Sequence, residues 1–279
     1  MFEISDIPAL QNQLKHWRAQ QQRVAFVPTM GNLHLGHLQL VQQAKTCGDK
    51  VIVSIFVNPL QFPPGTDYEH YPRTLKQDTK QLETLGIDVL FAPKAEDIYA
   101  QDLEQTTKVI VPGLSDILCG EYRPGHFSGV TTIVAKLFNL VQPDVALFGE
   151  KDYQQLVIIK KMVADLGYQV EIQSVPTVRE ADGLAMSSRN QYLTEAQRKT
   201  APVLYQTLLS AKNQIDSGAQ FAQIEAGALH SLKQAGFKPE YISIRHADGL
   251  APATDSNSPL IILAAAWLGK ARLIDNVLV

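Results

Sequence analysis

Short apolar runs alternate with longer amphipathic stretches through the first two-thirds of the chain. The runs are rich in β-branched residues, which is typical of strands covered on both faces. They are RVAFV (23–27), VIVSIFV (51–57), DVLFAP (88–93), DVALF (144–148) and YQVEIQSV (168–175). Amphipathic helices are predicted between them, at 36–48, 74–86, 129–142 and 152–167. This alternation predicts an α/β fold, a Rossmann-like doubly wound parallel sheet with helices on both faces.

The pattern changes after about Val178. Two helical stretches follow back to back, and then strand-like runs take over, the last two separated by a Gly-Lys pair that suits a tight hairpin. The helices are predicted at 194–216 and 220–235, and the strands at 241–247, 259–268 and 271–279. Segregated helices and strands predict a smaller C-terminal α+β domain, so we expect domains at 1–177 and 178–279.

Composition and charge narrow the class of protein. The 279 residues leave room for two domains, and a hydrophobic fraction of 45% is ordinary for a globular protein. With a net charge of −3, no basic excess points to nucleic acid, and no apolar run reaches the ~20 residues of a membrane span. We therefore expect no nucleic-acid or membrane partner. Two isolated cysteines and a polar N-terminus predict a cytoplasmic location.

The stretch PTMGNLHLGH (28–37) is the first candidate for chemistry. It follows a predicted strand and opens a predicted helix, whose free N–H groups favour phosphate. His34 and His37 are nearly one helical turn apart, so both imidazoles can face one ligand and stabilise charge that develops on phosphates. On spacing alone, two surface or helix-capping histidines explain the pattern equally well. Neither G-x-G-x-x-G nor a P-loop motif occurs in the chain.

Two further clusters also follow predicted strands. GLAMSSRN (183–190) gathers hydroxyls, backbone N–H groups and a guanidinium that can wrap a triphosphate, although such a composition is also common in solvated turns. FGEKDYQQL (148–156) offers Lys151 to a phosphate, or only a solvated pair with Asp152. In a doubly wound sheet, ligands bind at the carboxyl ends of strands, and this shared position favours function for all three clusters. The Pro-rich stretch at 62–72 suits a functional rim.

HLGH and MSSRN resemble the H-x-G-H and KMSKS-type motifs of the adenylyl-transferring superfamily. More specifically, PTMGNLHLGH, SIFVNPLQF, YPRT, RPGHFSGV, LFGEKDYQQL and SSRNQYL, in that order, resemble the pantothenate synthetase (pantoate–β-alanine ligase) family, and the terminal GKARLIDNV also fits. The second motif lacks the lysines of KMSKS, so Arg189 is expected to supply the charge there.

The resemblance implies a two-step ligation. The carboxylate of pantoate attacks the α-phosphate of ATP, giving pantoyl adenylate and pyrophosphate, and the amine of β-alanine then displaces AMP. It also implies Mg²⁺, which would neutralise phosphate charge, and a homodimer.

The resemblance also assigns roles to residues, each at the position that matches a family motif. The implied catalytic residues are His34, His37, Lys151 and Arg189. The implied ATP site comprises Met30, Gly31, Asn32, Leu33, His34, Leu35, Gly36, His37, Gly149, Glu150, Lys151, Asp152, Val178, Met186, Ser187, Ser188 and Arg189. The implied substrate-binding residues are Gln61 and Gln155 for pantoate, with Asn58, Arg123 and His126 as weaker candidates. Asp78 is expected to neighbour Mg²⁺. Alternatively, Asn58 only shapes the turn before Pro59, and Gln61 and Asp78 are exposed.

Two other functions stay open from the sequence. A nucleotidylyltransferase acting on a phosphorylated acceptor would share the fold and the H-x-G-H motif, but the NPLQF and KDYQQL blocks carry no cation at the glutamine that would meet a phosphate. A non-catalytic nucleotide sensor on the same fold is the other alternative. The intact His34, His37, Lys151 and Arg189 argue against it.

Overall fold

The structure, a computed structural model, describes residues 1–62, 68–99 and 102–279. The middle of the Pro-rich stretch expected to form a rim, residues 63–67, lies outside them. The chain divides into two compact units: residues 1–150 with 158–176, and residues 151–157 with 177–279. Residues 151–157, which the sequence assigned to the first domain, have their contacts in the second unit. There the Tyr153 hydroxyl donates to the Ala247 carbonyl, and the Asn276 side-chain amide donates to the Lys151 carbonyl.

Within the described part of the first unit, six strands form one parallel sheet, which confirms the predicted α/β class. The strands are β1 (Phe2–Ile4), β2 (Val24–Thr29), β3 (Lys50–Ile55), β4 (Val89–Phe91), β5 (Val145–Gly149) and β6 (Glu171–Val175). Their order across the sheet is β1-β4-β3-β2-β5-β6. The central strands are almost fully buried, as their continuous apolar runs predicted.

Helices connect these strands in the way that a doubly wound sheet requires. They are α1 (Ile7–Ala19), α2 (Leu35–Cys47), α3 (Leu75–Leu85), α4 (Ala95–Ile98), α5 (Cys119–Tyr122), α6 (His126–Val141) and α7 (Tyr153–Leu166). Neither β1 nor α1 was expected from the sequence. Helix α1 begins where the Asp6 side chain accepts a hydrogen bond from Ala9 N, and it buries Leu10, Leu14 and Trp17 along one face.

The strand order places a topological switch point between β2 and β5. From β2 the chain moves outward to β3 and β4, and it then crosses back to β5 and β6 on the other side. Strand β2 pairs with β3 along its whole length, from Val24 to Thr29, but with β5 only at Ala25 and Phe26. Because this ladder stops before either strand ends, the carboxyl ends of β2 and β5 flank a crevice of the kind that binds ligands in such folds.

The second unit is a smaller α+β unit, as predicted. Its antiparallel sheet has the order β7-β8-β9, with β7 (Lys238–His246), β8 (Leu260–Leu268) and β9 (Ala271–Leu278). Its helices are α8 (Glu195–Thr200), α9 (Val203–Asp216) and α10 (Phe221–Gln234). The single helix predicted over 194–216 is two helices, because Pro202 has no N–H to continue the ladder. Leu204, Leu208 and Ile262 lie in the apolar core between the helices and the sheet.

Among the described helices, none combines the length and the apolar character that a membrane span needs.

Helix α6 packs unusually close to the turn after β3. An ideal Cβ added at Gly129 would overlap the Leu60 carbonyl group, and the Gly129 carbonyl accepts a hydrogen bond from the Asn58 side chain at 3.0 Å. Only a residue without a side chain allows the two backbones to approach in this way.

Replacing Gly129 with Ala should therefore lower the free energy of unfolding by about 2 kcal/mol or more, since the added methyl group meets backbone that cannot move alone. Urea denaturation measures this change. Gly227→Ala is the matched control. Gly227 lies in α10, and an ideal Cβ added there would have no heavy atom within 4 Å. The substitution should therefore raise the free energy of unfolding by about 0.5–1 kcal/mol. Equal effects at both positions would contradict the close packing.

Candidate active site

The two histidines of the HLGH motif form the N-terminal cap of α2. His34 is the N-cap residue, and its Nδ1 accepts a hydrogen bond from Gly36 N at 3.1 Å. His37 Nδ1 in turn accepts a hydrogen bond from His34 N at 3.3 Å, which completes a capping box. The two ring centroids are 4.1 Å apart. The structure therefore brings both imidazoles together, as the spacing predicted, and it shows that they are capping groups as well.

These caps determine which nitrogen can act on a ligand. A backbone N–H always donates, so Nδ1 of both His34 and His37 must be an acceptor. In each neutral ring the proton is then on Nε2, which makes Nε2 the donor. The arrangement places two N–H donors beside the positive end of a 13-residue helix. It is suited to stabilising negative charge on a phosphate.

A buried carboxylate holds the loop that carries these histidines. Asp78, which is 1% exposed, accepts hydrogen bonds from Asn32 N and Leu33 N, both at 2.9 Å, and from Thr74 Oγ1 at 3.0 Å. Gly31 and Asn32 both have positive φ angles, +78° and +52°, and a Cβ at Gly31 would lie 3.1 Å from Asp78 Oδ2. Asp78 is thus the residue that holds the turn, and it is buried rather than exposed. Its expected place beside Mg²⁺ stays a prediction.

A buried amide network connects the predicted pantoate residue Gln61 to the same loop. Gln61 Nε2 lies 2.8 Å from Met30 Sδ, and Gln61 Oε1 accepts a hydrogen bond from Asn58 Nδ2 at 3.2 Å. The Tyr99 hydroxyl donates to Asn58 Oδ1 at 2.7 Å, which fixes the Asn58 amide with its Nδ2 toward Gln61 and the Gly129 carbonyl. Burial raises the pKa of the Tyr99 hydroxyl above its ordinary value, so it stays a donor. Gln61 is buried, contrary to the alternative of an exposed amide.

His126 and Arg123 extend this network from the start of α6. The carbonyl of Gln61 accepts a hydrogen bond from His126 Nδ1 at 2.8 Å, and Arg123 Nη1 lies 2.9 Å from His126 Nε2. Since a guanidinium only donates, His126 accepts at Nε2 and is neutral in this arrangement. The structure therefore groups Asn58, Gln61, Arg123 and His126 at one place, next to the carboxyl end of β3.

The carboxyl end of β5 provides the other side of the crevice. Gly149 ends the strand, paired with Val175, and an ideal Cβ there would have no described heavy atom within 4 Å. The next residue, Glu150, accepts a hydrogen bond from Ser174 Oγ at 2.7 Å. The open space beside Gly149 would allow a ligand to approach the backbone closely.

In the second unit, a hairpin carries the MSSR residues. Met186 N donates to the Val178 carbonyl at 3.0 Å, and Arg179 pairs with Ala185 in an antiparallel bridge. Ser187 caps the short 3-10 helix that follows, accepting a hydrogen bond from Arg189 N at 3.2 Å. The predicted ATP-binding residues Val178 and Met186–Arg189 are thus neighbours in one small structure.

Ion pairs hold the outer end of this hairpin. Arg198 on α8 donates to Asp182 and Glu180, both at 2.6 Å, and Asn190 Nδ2 donates to Glu180 Oε1 at 3.2 Å. The hydrogen bond from Arg198 lowers the pKa of the Asp182 carboxyl below its ordinary value. These pairs restrain the segment on both sides of MSSR.

The segment Lys151–Val157 also belongs to the second unit. Lys151 is largely buried, with its Nζ 3.8 Å from Asp152 Oδ2, and its carbonyl accepts a hydrogen bond from Asn276 Nδ2 at 3.0 Å. Gln155 is partly buried on the first turn of α7. The solvated Lys151–Asp152 pair considered from the sequence is therefore only half correct, since the lysine is 19% exposed and the aspartate 48%.

Within the described residues, no group of three or more His, Cys, Asp or Glu side chains is arranged to hold a metal ion. A metal that keeps its waters and binds phosphate oxygens needs no such group.

Sequence reasoning assigned no role to Tyr99, Thr74, Arg179 or the buried pair Asp275–Asn276, although Thr74 lies in the YPRT block and the pair in the GKARLIDNV block. Neither Tyr99 nor Thr74 shows its role locally, because each acts by bonding to another side chain, that of Asn58 or Asp78. Asp275 does carry a local signal: it interrupts the apolar run of the last strand, at a position that faces the core.

A parallel sheet with an H-x-G-H loop at its switch point resembles the adenylyl-transferring class of α/β proteins. The Pantoate-beta-alanine ligase family model matches residues 3–278. The chain is 55% identical over 278 residues to the pantothenate synthetase of Nitrosococcus oceani, covering 99% of this chain and 97% of that protein. It belongs to the pantoate–β-alanine ligase family, which confirms the resemblance drawn from its motifs.

Solved structures agree with this assignment. Pantothenate synthetase from Thermus thermophilus is 46% identical, has a TM-score of 0.93 and is covered over 99% of both chains. Pantoate-beta-alanine ligase from Francisella tularensis, in complex with beta-gamma ATP and beta-alanine, is 36% identical, with a TM-score of 0.84 and coverage of 100% of this chain and 97% of that one.

Asp78→Asn tests how the HLGH loop is held. The amide would turn an N–H₂ group toward a backbone N–H, so we expect unfolding to become easier by about 3 kcal/mol and amide exchange at Asn32 and Leu33 to accelerate. Thr74→Val removes only the hydroxyl donor and should lower the free energy of unfolding by about 1 kcal/mol. Urea denaturation and amide exchange measure both. Unchanged exchange at Asn32 and Leu33 in Asp78→Asn would show that the carboxylate does not hold the turn.

Proposed function

We propose that this chain ligates pantoate to β-alanine with the residues described above. The carboxylate of pantoate attacks the α-phosphorus of ATP, and the bond to the β-phosphate oxygen breaks, which releases pyrophosphate. The amine of β-alanine then attacks the acyl carbon of pantoyl adenylate, loses a proton and displaces AMP. Activation is needed because a bare carboxylate has no adequate leaving group. The supporting observation is the capped HLGH loop at the switch point, joined through Met30 to the buried amide of Gln61.

His34 and His37 stabilise the charge that moves onto the phosphates. With both Nδ1 atoms used as caps, each ring presents Nε2–H as its donor, and the rings lie side by side. A donor positioned before the reaction needs no reorganisation as charge develops. Lys151, with its side chain largely buried, and Arg189, in the capped MSSR turn, supply positive charge to the polyphosphate.

The amides of Gln61 and Gln155 recognise pantoate, whose hydroxyl and carboxylate groups need both donors and acceptors. For Gln61, Asn58 holds the acceptor oxygen, so the amide N–H₂ group remains directed toward the HLGH loop through Met30. The neutral His126, bonded to the Gln61 carbonyl, holds the backbone of the same residue. The Asn58 and Gln61 amides and the neutral His126 ring are suited to hydroxyl groups, and the Arg123 guanidinium beside His126 is suited to a carboxylate.

Mg²⁺ enters with ATP as part of the substrate. Since the described residues contain no cluster of metal ligands, the phosphate oxygens and waters would hold the ion, and it would neutralise phosphate charge. The family resemblance also supports a homodimer that acts in the cytoplasm. Light scattering of the purified chain tests the dimer directly.

The reaction has a direct test. Labelled pyrophosphate should exchange into ATP only when pantoate is present, and AMP should be released when β-alanine is added. Exchange that needs no pantoate, or that requires a phosphorylated acceptor, would favour a nucleotidylyltransferase. ATP binding without exchange would favour a sensor.

Two substitutions of His37 separate its two roles. His37→Asn keeps an acceptor near the position of Nδ1 and so keeps the cap, but it lacks the outer donor. We expect a stable protein whose pyrophosphate exchange falls by about 10²- to 10³-fold, since one such donor is worth about 3–4 kcal/mol.

His37→Gln is the matched variant, because its amide nitrogen reaches the position of Nε2 while the cap is lost. It should unfold more easily, by about 1 kcal/mol, and keep more exchange than His37→Asn. Normal exchange in His37→Asn would remove His37 from the catalytic residues.

Ala at Gln61 or Gln155 should raise the KM for pantoate by about tenfold or more, because a buried hydrogen-bonding group of the substrate loses its partner. The KM for ATP should change much less. Steady-state kinetics with each substrate varied separately measure the two constants. A parallel rise in both would point to a nucleotide role or to a disturbed fold.

A further inference from the structure

The last strand carries two consecutive buried polar residues. Asp275 and Asn276 are 4% and 7% exposed on β9, whose neighbours Leu273 and Val277 pack into the core of the second unit. Successive residues of a strand point to opposite faces. Both faces of β9 are therefore covered at this point, and each face receives a polar side chain where an apolar one would be expected.

Asp275 fixes the base of the hairpin that carries MSSR. Its carboxylate accepts two hydrogen bonds from Arg179, from Nη1 at 2.7 Å and from Nη2 at 2.9 Å. Arg179 also donates to the carbonyls of Gly183 at 3.1 Å and Asn276 at 3.3 Å, and its guanidinium lies 3.6 Å from the ring centroid of Tyr205. Because the planar guanidinium makes a bidentate bond and also stacks on a ring, it fixes the position of the hairpin relative to β9.

Asn276 fixes the segment that carries Lys151. Its Nδ2 donates to the Lys151 carbonyl at 3.0 Å, and its backbone N–H donates to Asp275 Oδ1 at 2.8 Å. The orientation of the Asn276 residue is thus tied to the same carboxylate that binds Arg179. Two adjacent residues of β9 hold two segments that are distant in sequence, at 151 and at 179–185.

We propose that Asp275 and Asn276 are positioning residues for the polyphosphate of ATP, which set the spacing between the backbone at Lys151 and the MSSR turn. The proposal rests on the function proposed above for Lys151 and Arg189. Two cations bind one polyphosphate well only when the distance between them matches the distance between the phosphate groups. A common anchor for both segments therefore raises the affinity for ATP without contacting it.

Stability alone does not account for this arrangement. A buried ion pair replaced by packed apolar residues is often neutral or more stable, so the core of the second unit does not need a charge on β9. What an apolar pair cannot supply is a set of directional bonds, from Asp275 to the Arg179 guanidinium and from Asn276 to the Lys151 carbonyl.

Asn276→Leu tests the proposal, because leucine keeps nearly the same volume and loses the donor to Lys151. We expect the KM for ATP to rise about five- to tenfold, as for the loss of one hydrogen bond. Amide exchange in 151–157 should accelerate in the protein without ligand. Leu273→Ala is the control: it lies on the same strand, is similarly buried and packs in the apolar core, so it should lower thermal stability and leave the KM for ATP unchanged.

A second variant tests the other anchor. Arg179→Lys keeps the positive charge beside Asp275 but loses the bidentate bond and the donor to Gly183. Amide exchange in 183–189 should accelerate, and the KM for ATP should rise while exchange in α10 stays as in the unaltered protein. This variant remains informative if Asn276→Leu does not fold.

The outcomes separate this inference from the proposed function. If the unaltered protein shows no pantoate-dependent pyrophosphate exchange, the proposed function fails, and amide exchange in the two variants still decides whether β9 holds these segments. The inference is overturned if folded Asn276→Leu has unchanged exchange in 151–157. It is also overturned if Leu273→Ala raises the KM for ATP as much as Asn276→Leu does.

Discussion

The ladder between β2 and β5 stops after two residue pairs, and the position of the candidate site in the first unit depends on this. All strands of the described sheet run parallel, so their carboxyl ends share one edge. The loops after β3, β2 and β5, which are neighbours in the sheet, carry NPLQF, HLGH and GE in that order. Sequence blocks that are distant along the chain therefore meet because of topology, before any side chain makes a contact.

In the HLGH loop, the histidines proposed for the chemistry also complete the fold. A turn with two successive positive φ angles leaves backbone N–H groups that must find acceptors. Asp78 accepts from Asn32 and Leu33, and the two histidine rings accept from His34 N and Gly36 N. Because the caps use Nδ1, only Nε2 can donate to a ligand. The fold thereby selects the tautomer that the proposed stabilisation of phosphate charge requires, and the protein's own groups order the loop.

The sequence predicts the four inner strands well because they are largely buried and read as continuous apolar runs. It predicts the edge poorly: β1 has only three residues, and α1 shows its buried leucines and Trp17 among many polar residues. Motif resemblance finds Gln61 and the histidines. It assigns no role to Tyr99 or to Thr74 in the YPRT block, because these residues act by holding Asn58 and Asp78, which lie 41 and 4 residues away. The pairing of Arg179 with Asp275 spans 96 residues, so the sequence around either residue does not identify its partner.

Buried polar side chains nonetheless leave a trace in the sequence when they interrupt a core pattern. Asp78 faces inward on amphipathic α3, and Asp275 faces inward on apolar β9. A charge at such a place costs several kcal/mol unless it is fully bonded, so each must have a partner that apolar packing cannot replace. In both cases the partner lies in a loop expected to contact ATP: the turn at 32–33, and the hairpin before MSSR. The two carboxylates are anchored in the core and restrict each loop to one conformation. A defined loop conformation is what binding a charged, extended ligand such as ATP requires.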